Sequence, residues 1–381
     1  MKGRPLYLSI LFFLVHMGTS FAQSTNELSA SALHPYGRYL LTDQQHIELI
    51  SSAVHFGFRF SGDQISLYAY INERSGHNYL QYELDGVYQR RIRIEGNSRQ
   101  PLIIKVGAAG KAGIAGTAET GGKAGTGGVH TVWIYKATEA LTGSIFIEKV
   151  VGRRLKAISR PAAPLIEFIG NSITCGAAAD PSEVPCGTGL YLDQHNAYYA
   201  YGPRVARALG TNYILSSVSG IGIYRNWNSD GPTMPQVYEK AGLQENSREP
   251  WDFKKYRPRI VSIALGTNDF SKGDGQRPRL PFDSAQFVNT YIQFVRLVKS
   301  NYPAARIALL SSPMINGAQR ILLQNCLAAV KQTIDAGYPS DKRVAMYFFQ
   351  PMQARGCSGH PNVEDHAILA KELMPFFKGL L

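Results

Sequence analysis

A serine stands where an apolar segment gives way to small polar residues. Residues 165–170 read Leu-Ile-Glu-Phe-Ile-Gly, a run short enough to be a buried strand, and Asn171 and Ser172 follow it. Open α/β sheets place ligands and reactive groups at the carboxyl ends of their strands. Ser172 is therefore a candidate nucleophile, although Asn and Ser also serve as ordinary turn and N-cap residues.

Three further polar segments contain residues that suit the same chemistry. Gly220 follows the apolar run 213–218, Asn268 follows the run 260–265, and His360 stands near the C-terminus. A serine hydroxyl needs a base to take its proton, and imidazole is well matched to that task. Attack on an ester carbonyl forms an oxyanion, which backbone N–H groups and a side-chain amide can bind.

The four segments GNSIT, SGIGI, ALGTND and GHPN, in this order, resemble the sequence blocks of the SGNH (GDSL-like) hydrolases. The resemblance implies that Ser172 is the nucleophile and that His360 is the general base. The oxyanion-hole donors that it implies are the backbone N–H groups of Ser172 and Gly220 and the side-chain amide of Asn268. The GxSxG motif of the α/β-hydrolases is absent from the sequence.

Two positions depart from the usual SGNH pattern. Asn171 stands where most members have the Asp of GDS, and Cys357 stands where most have an Asp three residues before the histidine. We therefore expect a Ser172–His360 dyad, in which a backbone carbonyl orients the imidazole. His366, in the last predicted helix, is an alternative base, but its apolar neighbours Ile368 and Leu369 favour a packing or surface role.

A β-sandwich that precedes an SGNH domain whose serine and histidine lack the usual Asp resembles carbohydrate esterase family 2. The resemblance implies a serine esterase acting on O-acetylated plant cell-wall polysaccharide, such as acetylated mannan or xylan, often at the sugar 6-position. It requires neither a metal nor an organic cofactor. Trp227 is our candidate platform for a sugar ring, with a core tryptophan as the alternative. A lipid esterase or lysophospholipase, and a glycan-binding protein with a decayed site, remain the rival functions.

The N-terminal part of the chain has the pattern of antiparallel strands. Residues 23–158 contain short alternating segments separated by turn residues, which predicts a β-sandwich of the jelly-roll type. Asp85-Gly86 predicts a hairpin. Residues 107–128 contain nine glycines, and we expect a flexible loop between two strands that would otherwise form a hairpin.

Beyond a predicted linker at 159–164, strands alternate with helices. This alternation predicts a three-layer α/β/α domain with a parallel sheet over residues 165–381. The predicted strands are 165–169, 213–218, 260–265, 306–311 and 343–348. The predicted helices are 197–209, 284–299, 319–336 and 361–376.

Composition and targeting signals favour an exported protein. The 381 residues carry a formal charge of +12, but Lys and Arg are dispersed and match no nucleic-acid-binding motif. Residues 1–22 read as a signal peptide, with Lys2 and Arg4, an apolar core and a small-x-small site ending at Ala22. No other stretch approaches the ~20 apolar residues of a membrane span. We expect a secreted or periplasmic protein; the sequence does not predict its oligomeric state.

Export places the four cysteines where disulfides persist. Four cysteines allow three pairings, and the sequence does not choose among them. We favour Cys175 with Cys186, which would close a short loop beside Ser172, and Cys326 with Cys357. A metal site is disfavoured because neither CxxC nor HExxH spacing occurs.

Overall fold

The structure, a computed structural model, describes residues 25–74, 76–107, 128–159, 161–276 and 278–381. The predicted signal peptide, 1–22, and most of the glycine-rich segment 107–128 lie outside the described residues. The predicted architecture is confirmed: an antiparallel β region comes first, and a parallel sheet with helices follows.

Ten antiparallel strands form the N-terminal region, in the order β2-β3-β10-β4-β9-β5-β6, with β1 on β10, β7 on β5 and β8 on β4. Their bounds are β1 Thr25–Ser29, β2 Tyr39–Leu41, β3 Ile47–Leu49, β4 His55–Tyr70, β5 His77–Leu84, β6 Val87–Tyr88, β7 Ile92–Glu95, β8 Leu102–Lys105, β9 Val129–Lys136 and β10 Ile145–Ala157. Alternate residues of β4, such as Phe56, Phe58 and Phe60, are fully buried in the core of this region.

The strands on either side of the glycine-rich segment are not hairpin partners, so that expectation was wrong. Both β8 and β9 pair with β4: Lys105 lies opposite Gln64 and Val129 lies opposite Ser61. Because β8 and β9 follow each other along one edge of β4, the segment interrupts what would otherwise be a single strand. The hairpin predicted at Asp85-Gly86 is present, with φ of +53° and +79° at these two residues.

Five parallel strands form the second sheet, in the order β12-β11-β13-β14-β15. Their bounds are β11 Leu165–Gly170, β12 Asn212–Ser217, β13 Ile260–Ala264, β14 Arg306–Leu310 and β15 Ala345–Tyr347. The helices are α1 Ser172–Cys175, α2 Tyr201–Leu209, α3 Met234–Val237, α4 Ser284–Asn301, α5 Gly317–Gly337 and α6 Val363–Lys378. No helix among the described residues is long and apolar enough to span a bilayer.

The helices cover both faces of the parallel sheet. Successive strand residues point to opposite faces, and β11 is apolar on both: Phe168 packs with residues of α2 and α6, whereas Ile169 packs with residues of α4 and α5. Since β11 lies between β12 and β13, the segments that follow these three strands emerge side by side at one edge.

A buried arginine joins the two regions. Arg38, from the antiparallel region, is fully buried: its Nε donates to Ser216 Oγ at 2.9 Å and its Nη1 donates to the Lys240 carbonyl at 2.9 Å. Its Nη2 lies 3.9 Å from Oε1 of the fully buried Glu167 on β11. A buried charge is tolerated only when it is paired and hydrogen-bonded, so this contact docks the two regions in one register.

Replacing Arg38 is therefore expected to destabilise the whole chain. Arg38→Met leaves the Glu167 carboxylate buried without its cation, and we expect a loss of about 3–5 kcal/mol in the free energy of unfolding. Urea unfolding at neutral pH measures it. Arg93→Met, at a half-exposed surface pair with Glu95, is the control and should change stability by less than about 1 kcal/mol. Equal unfolding midpoints for Arg38→Met and the unsubstituted protein would contradict this role.

Candidate active site

Ser172 is the first residue of a short helix that follows a tight turn. The side-chain oxygen of Asn171 accepts the Ile173 N–H at 3.1 Å and caps α1. A Cβ at Gly170 would lie 2.0 Å from Thr174 Oγ1, so only glycine fits the strand end. The turn brings Ser172 to the carboxyl edge of β11, the position expected for a nucleophile.

His360 lies against this serine although 188 residues separate them in sequence. The Nε2 atom of His360 is 2.9 Å from Ser172 Oγ. His360 stands two residues before Asn362, which caps α6 by accepting the Asp365 N–H at 2.8 Å. The structure therefore brings together the two residues from which the sequence predicts proton transfer.

A backbone carbonyl fixes the orientation of the imidazole. The Nδ1 atom of His360 lies 3.0 Å from the Ser358 carbonyl oxygen. Because a carbonyl can only accept, Nδ1 carries the hydrogen of the neutral ring, and Nε2 presents its lone pair to the Ser172 hydroxyl. Ser358 adopts a left-handed conformation, with φ of +51°, which is costly for a residue other than glycine. No carboxylate of the described residues bonds to His360.

A disulfide between Cys186 and Cys357 anchors this histidine turn. The pairings that we favoured from the sequence were wrong, because the loop around Cys186 packs on the His360 turn, 171 residues away, rather than on α1. Cys175 and Cys326 are buried free thiols. Cys175 points to Ser217 Oγ at 3.2 Å, and Cys326 packs in the core beneath α5.

The three predicted oxyanion-hole donors lie in the segments that follow three adjacent strands. Gly220 follows β12, Ser172 follows β11 and Asn268 follows β13. Gly220 has φ of +74°, a conformation that suits glycine. Within the described part of the chain, neither the Ser172 N–H nor the Gly220 N–H has an acceptor. The side-chain NH₂ group of Asn268 donates one hydrogen to the Ile221 carbonyl at 2.7 Å. Its second hydrogen can bind an oxyanion. These are the three donors that the sequence predicts for an oxyanion.

Asp269 and Trp227 shape the loop that carries Gly220. The buried Asp269 carboxylate accepts the backbone N–H groups of Ile223, Tyr224 and Arg225; burial raises the pKa of Asp269 to about 6. Trp227 is 45% exposed, so the core alternative for this residue was wrong. Its ring lines a cavity of about 760 Å³.

Three residues around the dyad carry no sequence signal that we recognised. The Tyr191 hydroxyl lies 3.3 Å from His360 Nε2, and the Tyr191 ring meets the His195 ring edge-on with centroids 4.6 Å apart. His195 Nε2 lies 3.3 Å from Glu139 Oε1. Glu139 belongs to the antiparallel region, far from every block, and no local pattern around it or around Tyr191 and His195 marks a site.

His366 does not act as the base. It is fully buried in α6, stacks on the Tyr201 ring, and neither of its ring nitrogens has a hydrogen-bond partner among the described residues. Burial lowers the pKa of His366 to about 3.

Comparisons with known proteins show which family the parallel-sheet region resembles. The sequence profile of the GDSL-like Lipase/Acylhydrolase family matches residues 168–347. An acetylxylan esterase / glucomannan deacetylase of Cellvibrio japonicus is 28% identical over 258 residues, covering 67% of this chain and 68% of that protein. Cellulase/esterase CelE of Acetivibrio thermocellus is 32% identical over 268 residues, covering 67% of this chain but only 30% of that protein. The chain contains a GDSL-like acylhydrolase domain.

Solved structures extend the similarity to the antiparallel region. A family two carbohydrate esterase from Clostridium thermocellum, in complex with cellohexaose, superposes with a TM-score of 0.72 at 26% identity, over 92% of this chain and 100% of that chain. A family two carbohydrate esterase from Cellvibrio japonicus has a TM-score of 0.76 at 23% identity, over 93% and 97% of the two chains. Together the matches identify a carboxylic-ester hydrolase.

The pairing of Ser172 with His360 could perform base catalysis at neutral pH. Burial lowers the pKa of His360 below its ordinary 6.5, against the opposing effect of the hydrogen bond to the Ser358 carbonyl. The neutral imidazole, which alone can accept the Ser172 proton, therefore persists to lower pH than in a free histidine.

The fall of activity at low pH, the acid limb of the pH profile, should reflect the lowered pKa of His360. Activity requires neutral His360, so kcat/KM should fall only as the pH drops through a value below 6.5, and remain level between that value and pH 8. A pH profile of p-nitrophenyl acetate hydrolysis, corrected for spontaneous hydrolysis, measures it. An acid limb centred above pH 6.5 would contradict the buried, carbonyl-oriented histidine.

Proposed function

We propose that the protein is an exported serine esterase that removes O-acetyl groups from plant cell-wall polysaccharide, such as acetylated xylan, or acetylated mannan at the 6-position of its hexose units. The observation that carries this proposal is the 2.9 Å contact between Ser172 Oγ and His360 Nε2. The relatives named as acetylxylan esterase and glucomannan deacetylase support the substrate class.

The reaction proceeds through an acetyl-serine. Ser172 Oγ attacks the acetyl carbon while its proton moves to His360 Nε2; the tetrahedral adduct then breaks its bond to the sugar oxygen, which takes that proton as it leaves. Water next gives a proton to His360 and adds its oxygen to the acetyl carbon. Acetate departs when the bond to Ser172 breaks and Oγ recovers the proton.

The donors after the three strands stabilise the negative charge of both tetrahedral adducts. The carbonyl oxygen becomes anionic only as the new bond forms, so donors that are already aimed at it lower the barrier more than they tighten substrate binding. Gly220 suits this task because it admits the acyl group close to its backbone. Asn268 suits it because the bond to the Ile221 carbonyl fixes its amide plane.

The cleft that Gly220 and Trp227 line has the composition of a sugar-binding surface. Trp227 exposes its ring on one wall, and Leu141 of the antiparallel region lies on another. The polar lining consists of amides and hydroxyls that can exchange hydrogen bonds with sugar hydroxyls: Asn226, Asn228, Ser229, Gln244 and Asn246. We propose that Trp227 stacks on a sugar ring of the polysaccharide.

Export is proposed on two grounds. The residues 1–22 have the pattern of a signal peptide, and the Cys186–Cys357 disulfide suits an oxidising compartment.

Substitution of the dyad tests the mechanism. Acetate release from acetylated mannan and xylan should fall at least ~10³-fold in kcat in both Ser172→Ala and His360→Ala, because each removes a participant in bond formation or proton transfer. Ser300→Ala, at an exposed position in α4, is the matched control and should turn over normally. Near-normal turnover in either Ser172→Ala or His360→Ala would contradict the mechanism.

The same assays separate the rival functions. A lipid esterase would hydrolyse p-nitrophenyl palmitate at least as well as the acetate, whereas the proposed enzyme should act on the acetate alone. For a glycan-binding protein with a decayed site, Ser172→Ala would leave the rate of acetate release unchanged because there would be none above background.

A further inference from the structure

A carboxylate from the antiparallel region reaches the loop that carries Gly220. Glu139 follows β9 and is 1% exposed. Its Oε2 accepts the Ser219 N–H at 2.6 Å. Ser219 immediately precedes Gly220, so Glu139 holds the peptide next to the one whose N–H is the proposed oxyanion donor.

The other oxygen of Glu139 is held by a histidine of defined tautomer. The Ala178 N–H lies 3.3 Å from His195 Nδ1, which must therefore accept. His195 Nε2 then carries the hydrogen and donates it to Glu139 Oε1 at 3.3 Å. Burial alone would raise the pKa of Glu139, but the bonds from His195 and Ser219 hold it below its ordinary 4.5. Glu139 is thus an anion at neutral pH.

This anion is connected to the dyad by packed rings. His195 meets Tyr191 edge-on, and the Tyr191 hydroxyl lies 3.3 Å from His360 Nε2, the atom that also contacts Ser172. No carboxylate of the described residues contacts His360 itself. Glu139 therefore contacts the loop that carries Gly220 directly and is linked to His360 through His195 and Tyr191.

We propose that Glu139 is a positioning residue of this esterase: it fixes the Ser219–Gly220 turn so that the Gly220 N–H meets the oxyanion, and its buried charge stabilises the imidazolium of His360. This inference rests on the proposed roles of Ser172, His360 and Gly220. It makes the antiparallel region a part of the catalytic machinery rather than an appended module.

Loss of the charge should affect kcat more than KM. In Glu139→Gln the side-chain shape is kept, but one oxygen becomes an NH₂ group, which cannot accept both the Ser219 N–H and the His195 N–H. Removing an oxyanion donor outright typically costs about 10²–10³ in rate; misaiming one should cost about 10- to 10²-fold in kcat. The KM for p-nitrophenyl acetate should change less than about threefold, because the donor acts mainly on the transition state.

The pH profile provides a readout that a purely structural role would not move. The negative charge of Glu139 raises the pKa of His360, so its removal should shift the acid limb of kcat/KM to lower pH. The other titratable groups that face His360 are Tyr191, His195 and His366, and all three are retained in the variant.

Three titratable groups besides His195 face Glu139 itself: Lys136, Cys175 and Tyr191. The Lys136 ammonium donates to the Glu139 backbone carbonyl, and Cys175 Sγ lies 3.5 Å from Oε2. Burial lowers the pKa of Lys136 to about 7 and raises that of Cys175. All three groups are retained in Glu139→Gln, so the variant and the unsubstituted enzyme are compared with the same neighbours.

The experiment compares three variants for kcat, KM and the acid limb, with near-ultraviolet circular dichroism as the check on folding. In Glu139→Gln, kcat should fall and the acid limb of kcat/KM should move to lower pH. Glu139→Asp keeps the negative charge, but its side chain is too short to contact both the Ser219 N–H and His195. Its kcat should therefore fall, while its acid limb should stay near that of the unsubstituted enzyme. Tyr256→Phe removes a hydroxyl that bonds Gly37 and Pro35 across the same two regions, and should leave both readouts unchanged.

The kcat values of Glu139→Gln and Glu139→Asp decide whether Glu139 is a positioning residue. Unchanged kcat in Glu139→Gln, or equal losses in Glu139→Gln and Tyr256→Phe, would overturn the inference. If Glu139→Gln does not fold, Glu139→Asp decides alone, and a normal kcat there contradicts the role. Activity that survives in Ser172→Ala would defeat the proposed function instead, whereas a dead Ser172→Ala beside a fully active Glu139→Gln defeats only this inference.

Discussion

The hydrogen bond from His360 Nδ1 to the Ser358 carbonyl is the interaction on which the site depends. It selects the tautomer that leaves Nε2 free for Ser172, a task that a carboxylate performs in the usual triad. The surrounding turn is built to hold that carbonyl in place: Cys357 is tied to Cys186, and its N–H donates to the Ala178 carbonyl at 3.0 Å. The Ser358 carbonyl oxygen is a weaker acceptor than a carboxylate, and the rigid placement of its turn compensates for that difference.

The second constraint is the docking of the two regions against each other. Arg38 pairs with Glu167 on β11, while Glu139 reaches the loop that follows β12. A neutral acetylated sugar would lie in the cleft between Leu141 of one region and Trp227 of the other. The antiparallel region therefore contributes to docking and to the lining of the cleft, and in our proposal it also positions the catalytic residues.

Much of the fold and the dyad could be predicted from the sequence because parallel strands deliver their following loops to one edge; this is why Ser172, Gly220 and Asn268 follow adjacent strands. The disulfide partners could not be predicted, because Cys186 and Cys357 meet only through loop packing between remote segments. Glu139 was missed for a related reason: its role arises from the docking of two regions, which no local pattern records.

The most direct measurement of the central claim is the tautomer of His360, by ¹⁵N–¹H NMR of protein labelled in its histidine rings, with His360→Gln to assign the signals. At a pH above its titration, the account predicts a hydrogen on Nδ1, bonded to a carbonyl, and an unprotonated Nε2. A neutral ring with its hydrogen on Nε2 would contradict the account, because such a histidine could not accept the proton of Ser172.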